Sequence, residues 1–482
     1  MSSTREPSGL CCSTQTSNRY DKAPDMKIVI LGAGQVGKTV AYQLSREEAN
    51  EVTVVDVNED ILRDLQDRID IRTVAGNGAY PSVLEAAGAA EADIIIALTN
   101  SDEVNIMACE VADTLFRTPT KIARIRSAEY TSRPELFRDD ALAVDFFISP
   151  ERLVTEYIER LVNFPGTLQV LDFADGKVRL VGVRAHKDGK LVGQCLRDLR
   201  EHIPSTEARV VAIYRKSGAV RPDGETVIED GDEVFFLAGR DYIRRVMTEM
   251  RKDESPVRRI VIAGGGNIGL RLARALEKTG QVKLIERDAQ RARRVAELLE
   301  NTIVLHGDAA DEELLIEENI DSTDVFAALT NSEEANILSA MLAKRLGARK
   351  VMALINKPSY ADLIESGSID IAISPQTITI GSLLEHVRRG DVVKVHSLRR
   401  GSAEALEAIV HGTEATSRVV GRRVEELKLP EGASIGAIVR GEQVIMCHHD
   451  TVVQADDHVI LFLSDRRHVD AIERLFSGPV SR

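Results

Sequence analysis

The chain repeats itself. Residues 27–37, KIVILGAGQVG, return as RIVIAGGGNIG at 259–269, and residues 52–58, VTVVDVN, return as VKLIERD at 282–288. Residues 97–106, ALTNSDEVNI, return as ALTNSEEANI at 328–337, and Gly76-Asn77 answers Gly307-Asp308 between the blocks. The offset stays between 230 and 232 positions, so whatever one half folds into, the other must fold into as well. Self-similarity held in register is the mark of a duplicated unit.

Each copy opens with a β-branched strand, a glycine turn and an amphipathic helix, carrying Val40 and Leu44 in one copy and Leu272 and Leu276 in the other. A second strand then ends in an acid, and a later apolar run, Ile94 to Leu98, ends in Thr99-Asn100. Near-continuous apolar strands alternating with helices predict a parallel sheet covered on both faces, an α/β Rossmann-like doubly wound domain. Each copy closes on a Ser-Pro pair, Ser149-Pro150 and Ser374-Pro375, leading into a further helix. Short strands punctuated by Asp175-Gly176, Asp188-Gly189, Asp223-Gly224 and Asp230-Gly231 follow the first copy, and Ala437–Arg440 and His458–Phe462 echo them after the second. These predict small α+β modules. The boundaries expected are a disordered leader, or an upstream start, over 1–25; nucleotide domains over 26–150 and 258–376, with crossover helices to about 163 and 389; and small domains over 166–250 and 391–478. Residues 251–256 read as the linker between halves.

Composition excludes several functions. The 62 basic and 76 acidic side chains give a formal net charge of −14, which repels phosphodiester backbones and argues against nucleic acid as a partner. No apolar run reaches the ~18 residues that a spanning helix requires. Cys11, Cys12, Cys109, Cys195 and Cys447 form no CxxC and no even framework, which points to a reducing compartment.

The loop Gly32-Ala33-Gly34-Gln35-Val36-Gly37-Lys38-Thr39 satisfies two patterns. As GxGxxG it is a dinucleotide turn; as GxxxxGK[ST] it is a P-loop, with Lys38 on phosphate and Thr39 on magnesium. Asp56 stands 19 residues after Gly37, where a carboxylate accepts ribose hydroxyls. The sister loop Gly264-Gly265-Gly266-Asn267-Ile268-Gly269 keeps the three glycines but continues Leu270-Arg271, and Glu286 ends its second strand. The shared features are the Rossmann ones. The absence of Arg or Lys beside Asp56 favours NAD over NADP there. Thr99, Asn100 and Thr330 end strands at the same edge, and Arg124 is placed to reach a pyrophosphate in the first copy, whereas the second has Met352-Ala353-Leu354-Ile355. Asp102-Glu103 and Glu333-Glu334 read as acids complementing a helix N-terminus, with a ligand role left open.

Catalytic chemistry finds little support. A hydride-transfer enzyme needs a proton donor or base beside the nicotinamide, and the first histidine is His186, beyond the first nucleotide domain. His448-His449 are expected on opposite sides of a strand, poor metal geometry. No metal site and no catalytic residue is assigned, and an NAD-dependent oxidoreductase, a P-loop ATPase and a duplication with dead clefts remain as alternatives.

The GAGQVG turn, the VTVVD strand, the ALTNSDEVNI block, the IARIR strand and the duplicated small domain resemble the RCK (regulator of potassium conductance) or KTN family, in its two-unit cytosolic form, from about Met26 to Phe476. The resemblance implies NAD(H) in the Rossmann clefts and ATP or ADP as regulatory ligands. It implies a homotetramer forming a ring of eight units, peripheral on the inner face of the plasma membrane, that gates a membrane potassium-translocating subunit of the TrkH or TrkG kind. Carried over by position, Gly32 to Gly37, Asp56, Thr99, Asn100 and Arg124 become first-site contacts, and Gly264 to Gly269, Glu286 and Thr330 second-site contacts. The leader and Lys38-Thr39 depart from the pattern.

Overall fold

The computed structural model describes residues 26–46, 50–138, 140–202, 208–215, 218–220, 222–252, 255–357, 360, 368–387, 392–398 and 403–476. The leader and linker residues 253–254 lie outside this set. The chain divides into two compact units, residues 1–100 with 104–121 and residues 101–103 with 122–482.

In the first unit, β1 (Met26–Leu31), β2 (Asn50–Asp56), β3 (Arg72–Ala75) and β4 (Ile94–Ala97) pair in parallel in the order β3-β2-β1-β4. The helix Gln35–Leu44 buries Val40, Ala41 and Leu44, the stripe its spacing predicts. Strand β5 (Thr120–Arg124) starts here, with the Thr120 N–H on the Asp93 carbonyl at 3.1 Å.

In the second unit, the end of β5 pairs in parallel with β6 (Phe146–Ile148). The second copy is contained whole: β12 (Arg259–Ala263), β13 (Gln281–Glu286), β14 (Ile303–His306), β15 (Val325–Ala328), β16 (Lys350–Leu354) and β17 (Ile371–Ile373) form a parallel sheet in the order β14-β13-β12-β15-β16-β17. The small modules are antiparallel. One holds β7 (Thr167–Phe173), β8 (Val178–Arg184), β9 (Ala208–Arg215), β10 (Gly218–Val220) and β11 (Glu233–Gly239); the other holds β18 (Val392–Leu398), β19 (Ala403–Ile409), β20 (Ala433–Arg440), β21 (Gln443–Met446) and β22 (His458–Leu463).

The helix Pro150–Asn163 starts on a proline whose missing N–H costs nothing at a first helical position. Its Val154, Ile158 and Leu161, fully buried, enter one core with Val170, Phe236 and Val246 of the small module and Leu272 and Leu276 of the second nucleotide domain. Burying each such side chain contributes about 1.5–3 kcal/mol. A second core joins the two small modules face to face, with Phe173, Leu180 and Phe235 against Ala405, Ile460 and Phe462. Beside it Glu407, 1% exposed, accepts the Ala174 N–H of the other module at 2.9 Å and bonds His458 Nδ1 at 2.6 Å, with Lys394 at 3.4 Å. Glu385, on the helix Pro375–Val387, is pushed up to about 7 by burial, the Lys394 charge opposing and the Glu407 charge reinforcing the shift. His396 is pushed down to about 4 by burial, helped by Lys394 and Arg160.

The small modules share a staple. Arg215 grips Asp232 in a fork at 2.9 Å on both arms, and Arg440 grips Asp457 at 2.8 Å; the two aspartates are 1% and 0% exposed. Removing one partner of such a pair strands a charge. Asp457→Ala will lower unfolding free energy by about 3 kcal/mol in urea titration. A pH effect is expected at Glu385. A carboxyl whose folded pKa is raised adds stability that is complete below its unfolded value and is lost as pH rises through the folded one. The stability difference between wild type and Glu385→Gln will therefore fall from pH 5 to pH 8, measured by urea midpoints; subtracting the variant removes the opposite contribution of His396.

Candidate functional site

The glycine loops follow the carboxyl ends of β1 and β12. Gly32 and Gly264 sit at φ +101° and +107°, a left-handed conformation natural to glycine. The Gly32 N–H bonds the Val55 carbonyl at 2.7 Å, and the Gly264 N–H bonds the Ile285 carbonyl at 2.8 Å. A Cβ on Gly32 would stand 3.0 Å from the Leu98 carbonyl and the Thr99 nitrogen; one on Gly264 would stand 3.0 Å from the Leu329 carbonyl and 3.1 Å from Thr330 Cα. The backbone of Thr99 and of Thr330 thereby lies against its loop. A Cβ on Gly37 would lie 1.9 Å from the Gly32 carbonyl oxygen, and one on Gly269 equally close to that of Gly264. These third glycines exist for helix–strand contact. Gly34 and Gly266 differ, having nothing within 4 Å of a Cβ, so their backbone faces open space.

The acids are bonded to the loops. Asp56 Oδ2 accepts the Ala33 N–H at 2.6 Å and Oδ1 the Asn58 N–H at 2.8 Å. Glu286 Oε2 accepts the Gly265 N–H at 2.8 Å and Oε1 the Asp288 N–H at 2.8 Å. Glutamate is one methylene longer, and residue 265 is glycine where the first copy has alanine. A Cβ there would meet Glu286 Oε2 at 3.1 Å, so the acid and the loop residue have changed together.

Sequence reading missed Asn105 and Asn336, 0% and 1% exposed. Asn105 Oδ1 accepts the Thr99 N–H and hydroxyl at 2.9 and 2.7 Å; Asn336 Oδ1 accepts those of Thr330 at 2.8 and 2.7 Å. Their presence in both ALTNS blocks was the available signal. Asp102, 6% exposed, reaches beyond its own helix to accept the Arg126 and Ser127 N–H groups at 2.9 and 2.8 Å, and Glu333 accepts the Lys357 N–H at 3.3 Å. Arg126 lies past the end of β5, with Nε 3.6 Å from Asp102. Arg124 ends β5 in the second unit, its pKa lowered by burial while Glu151 opposes. Asn100 is exposed.

One alternative and one expectation change. The helix starts at Gln35, so Gln35, Val36, Lys38 and Thr39 are helical; Lys38 Nζ lies 3.8 Å from Asp64 and the Thr39 hydroxyl donates to the Gln35 carbonyl at 3.0 Å. A P-loop helix opens at its Gly-Lys, whereas this one opens at Gln35 and carries Lys38 and Thr39 a turn inside. His448-His449 stand in a turn after β21, not on a strand, because the Thr451 hydroxyl accepts the His448 N–H at 2.9 Å and folds the chain back. Among the described residues no three His, Cys, Asp or Glu side chains could hold a metal, and no helix is long and apolar enough to cross a membrane.

The TrkA-N domain model matches residues 28–150 and 260–375, and the TrkA-C domain model matches 180–251 and 413–477. The chain is 57% identical over 451 residues to the Trk system potassium uptake protein TrkA of Halomonas elongata, covering 94% of this chain and 98% of the relative. The protein of that name from Vibrio alginolyticus is 57% identical over the same shares. The chain belongs to the TrkA family. Its two TrkA-N segments hold the clefts described above, and both TrkA-C segments fall in the antiparallel modules. Among solved structures, the fold resembles the GsuK RCK domain at TM-score 0.59 and 19% identity, covering 95% of this chain and 96% of that one, and the GsuK channel bound to NAD at TM-score 0.58 and 18% identity, covering 95% and 79%.

The loop geometry separates two kinds of glycine. Gly37→Ala will destabilise the chain by roughly 3 kcal/mol, since its methyl meets backbone rather than a movable side chain. Gly34→Ala will leave the thermal midpoint almost unchanged. Differential scanning calorimetry of the two variants tests the contrast.

Proposed function

We propose that this chain is a nucleotide-sensing regulatory subunit of Trk potassium uptake that binds NAD(H) in its first cleft and an adenine nucleotide in its second, with ATP or ADP as competing or second-site regulators. The observation that carries the reading is the same in both copies: a strand-end carboxylate already bonded to a loop amide, beside a glycine backbone left uncovered. Dinucleotides bind in such crevices at the carboxyl ends of parallel strands. The contacts proposed are Gly32 to Gly37, Asp56, Thr99, Asn100 and Arg124 in the first copy, and Gly264 to Gly269, Glu286 and Thr330 in the second. The relatives named as Trk potassium-uptake proteins support the regulatory role, and their family is not one of enzymes.

Regulation then follows from linkage. A nucleotide shifts an assembly between shapes only by its difference in affinity for them, typically ~1–3 kcal/mol per coupling. Four chains forming a ring of eight units on the inner membrane face would add such biases and transmit them to a potassium-translocating subunit of the TrkH or TrkG kind.

Thermal-shift titration with NADH, NAD, ADP and ATP tests the binding. At a hundredfold excess over the dissociation constant one site adds about 2.7 kcal/mol to the native state. Asp56→Ala is expected to keep its fold, weaken the nucleotide shift and uncouple potassium uptake, with NADH absorbance constant throughout. Unchanged shift and uptake in that variant would overturn the reading.

A further inference from the structure

The two clefts serve as controls for one another, and they differ in charge where the second strand ends. In the first, Asp56 is partly exposed, and no ion pair to it occurs among the described residues. Residues 56–68 there carry five acids against two arginines, and both arginines are engaged, Arg63 with Glu59 and Asp60 and Arg68 with Asp64.

In the second cleft the matching residues, 286–298, carry three acids against four arginines. Both acids have their oxygens held by backbone N–H groups, but Glu286 is withdrawn to 7% exposure where Asp56 is partly exposed, and Arg291 Nη1 stands 4.0 Å from Glu286 Oε2. Arg287, immediately after the acid, is exposed and makes no ion pair among the described residues. An arginine thus follows the strand-end acid directly in the second cleft, where the first has Val57.

An open carboxylate at that position accepts the ribose hydroxyls and repels a phosphate placed there; arginine does the reverse, its planar fork matching phosphate oxygens. We propose that the second cleft takes an adenine dinucleotide bearing a phosphate on its adenosine ribose, the NADP(H) class, while the first takes NAD(H), and that Arg287 and Arg291 determine this specificity. The proposal rests on the nucleotide reading above.

Calorimetric titration of the full-length chain with NADPH and NADH, singly and in sequence, tests it. NADPH is expected to bind at one site per chain, to bind equally well when NADH is saturating, and to weaken roughly tenfold or more in Arg287→Ala, the scale of one charge-assisted hydrogen bond. Arg291→Ala should act in the same direction, and NADH binding at the first cleft should be unchanged in both. Both arginines are exposed, so unaltered far-UV circular dichroism is expected to show that the variants fold. NADH binding without NADPH binding, competition of the two for one site, or indifference of NADPH to Arg287→Ala would overturn the specificity and leave the nucleotide reading standing. Failure of both nucleotides to bind would overturn the nucleotide reading itself.

Discussion

In both copies the loop after the first strand is held by a carboxylate from the end of the second. Asp56 and Glu286 each spend one oxygen on a loop amide and the other on the residue opening the next helix. That pair of bonds adds to the backbone bond from each first glycine to the neighbouring strand, Gly32 to Val55 and Gly264 to Ile285. A charge-assisted bond of this kind is stronger than a neutral one. The turn is therefore organised by the chain's own side chains.

Asn105 and Asn336 do for the third corner what the acids do for the second. Each closes the turn after the fourth strand by accepting from a threonine N–H and hydroxyl while its own amide donates to that threonine's carbonyl. Almost completely buried, they satisfy polar backbone that would otherwise be left without partners at a sheet edge. The two corners together explain why the repeated blocks are the ones that repeat: they are the turns where backbone direction must be fixed.

Much of this was legible in the sequence. Parallel sheets and glycine turns follow from period and spacing, and the acid at each strand end follows from its distance to the loop. The roles of individual polar residues were harder to read. Asp102 looks like a helix-start acid, because sequence shows which helix it opens but not the next loop, whose amides it accepts. Lys38-Thr39 imitate a phosphate loop because one-dimensional spacing does not reveal that the helix starts three residues earlier. His448-His449 read as strand residues, but the strand ends at Met446 and a local turn, closed by the Thr451 hydroxyl three residues on, follows it. The coupled change of Ala33 to Gly265 with Asp56 to Glu286 is visible only when side-chain reach is measured.

The core that joins Val154, Ile158 and Leu161 to Leu272 and Leu276 bears on how such a chain could have arisen. An ancestor with a single copy would have had this apolar helix face uncovered, and an uncovered face of that kind is satisfied by a second molecule. Carrying both copies in one chain replaces an encounter that depends on concentration with one enforced by covalent tethering, at an effective concentration on the order of millimolar. Once tethered, the copies were free to diverge at their rims without risking mismatched partners, and neither half could again be discarded without exposing the other's interior.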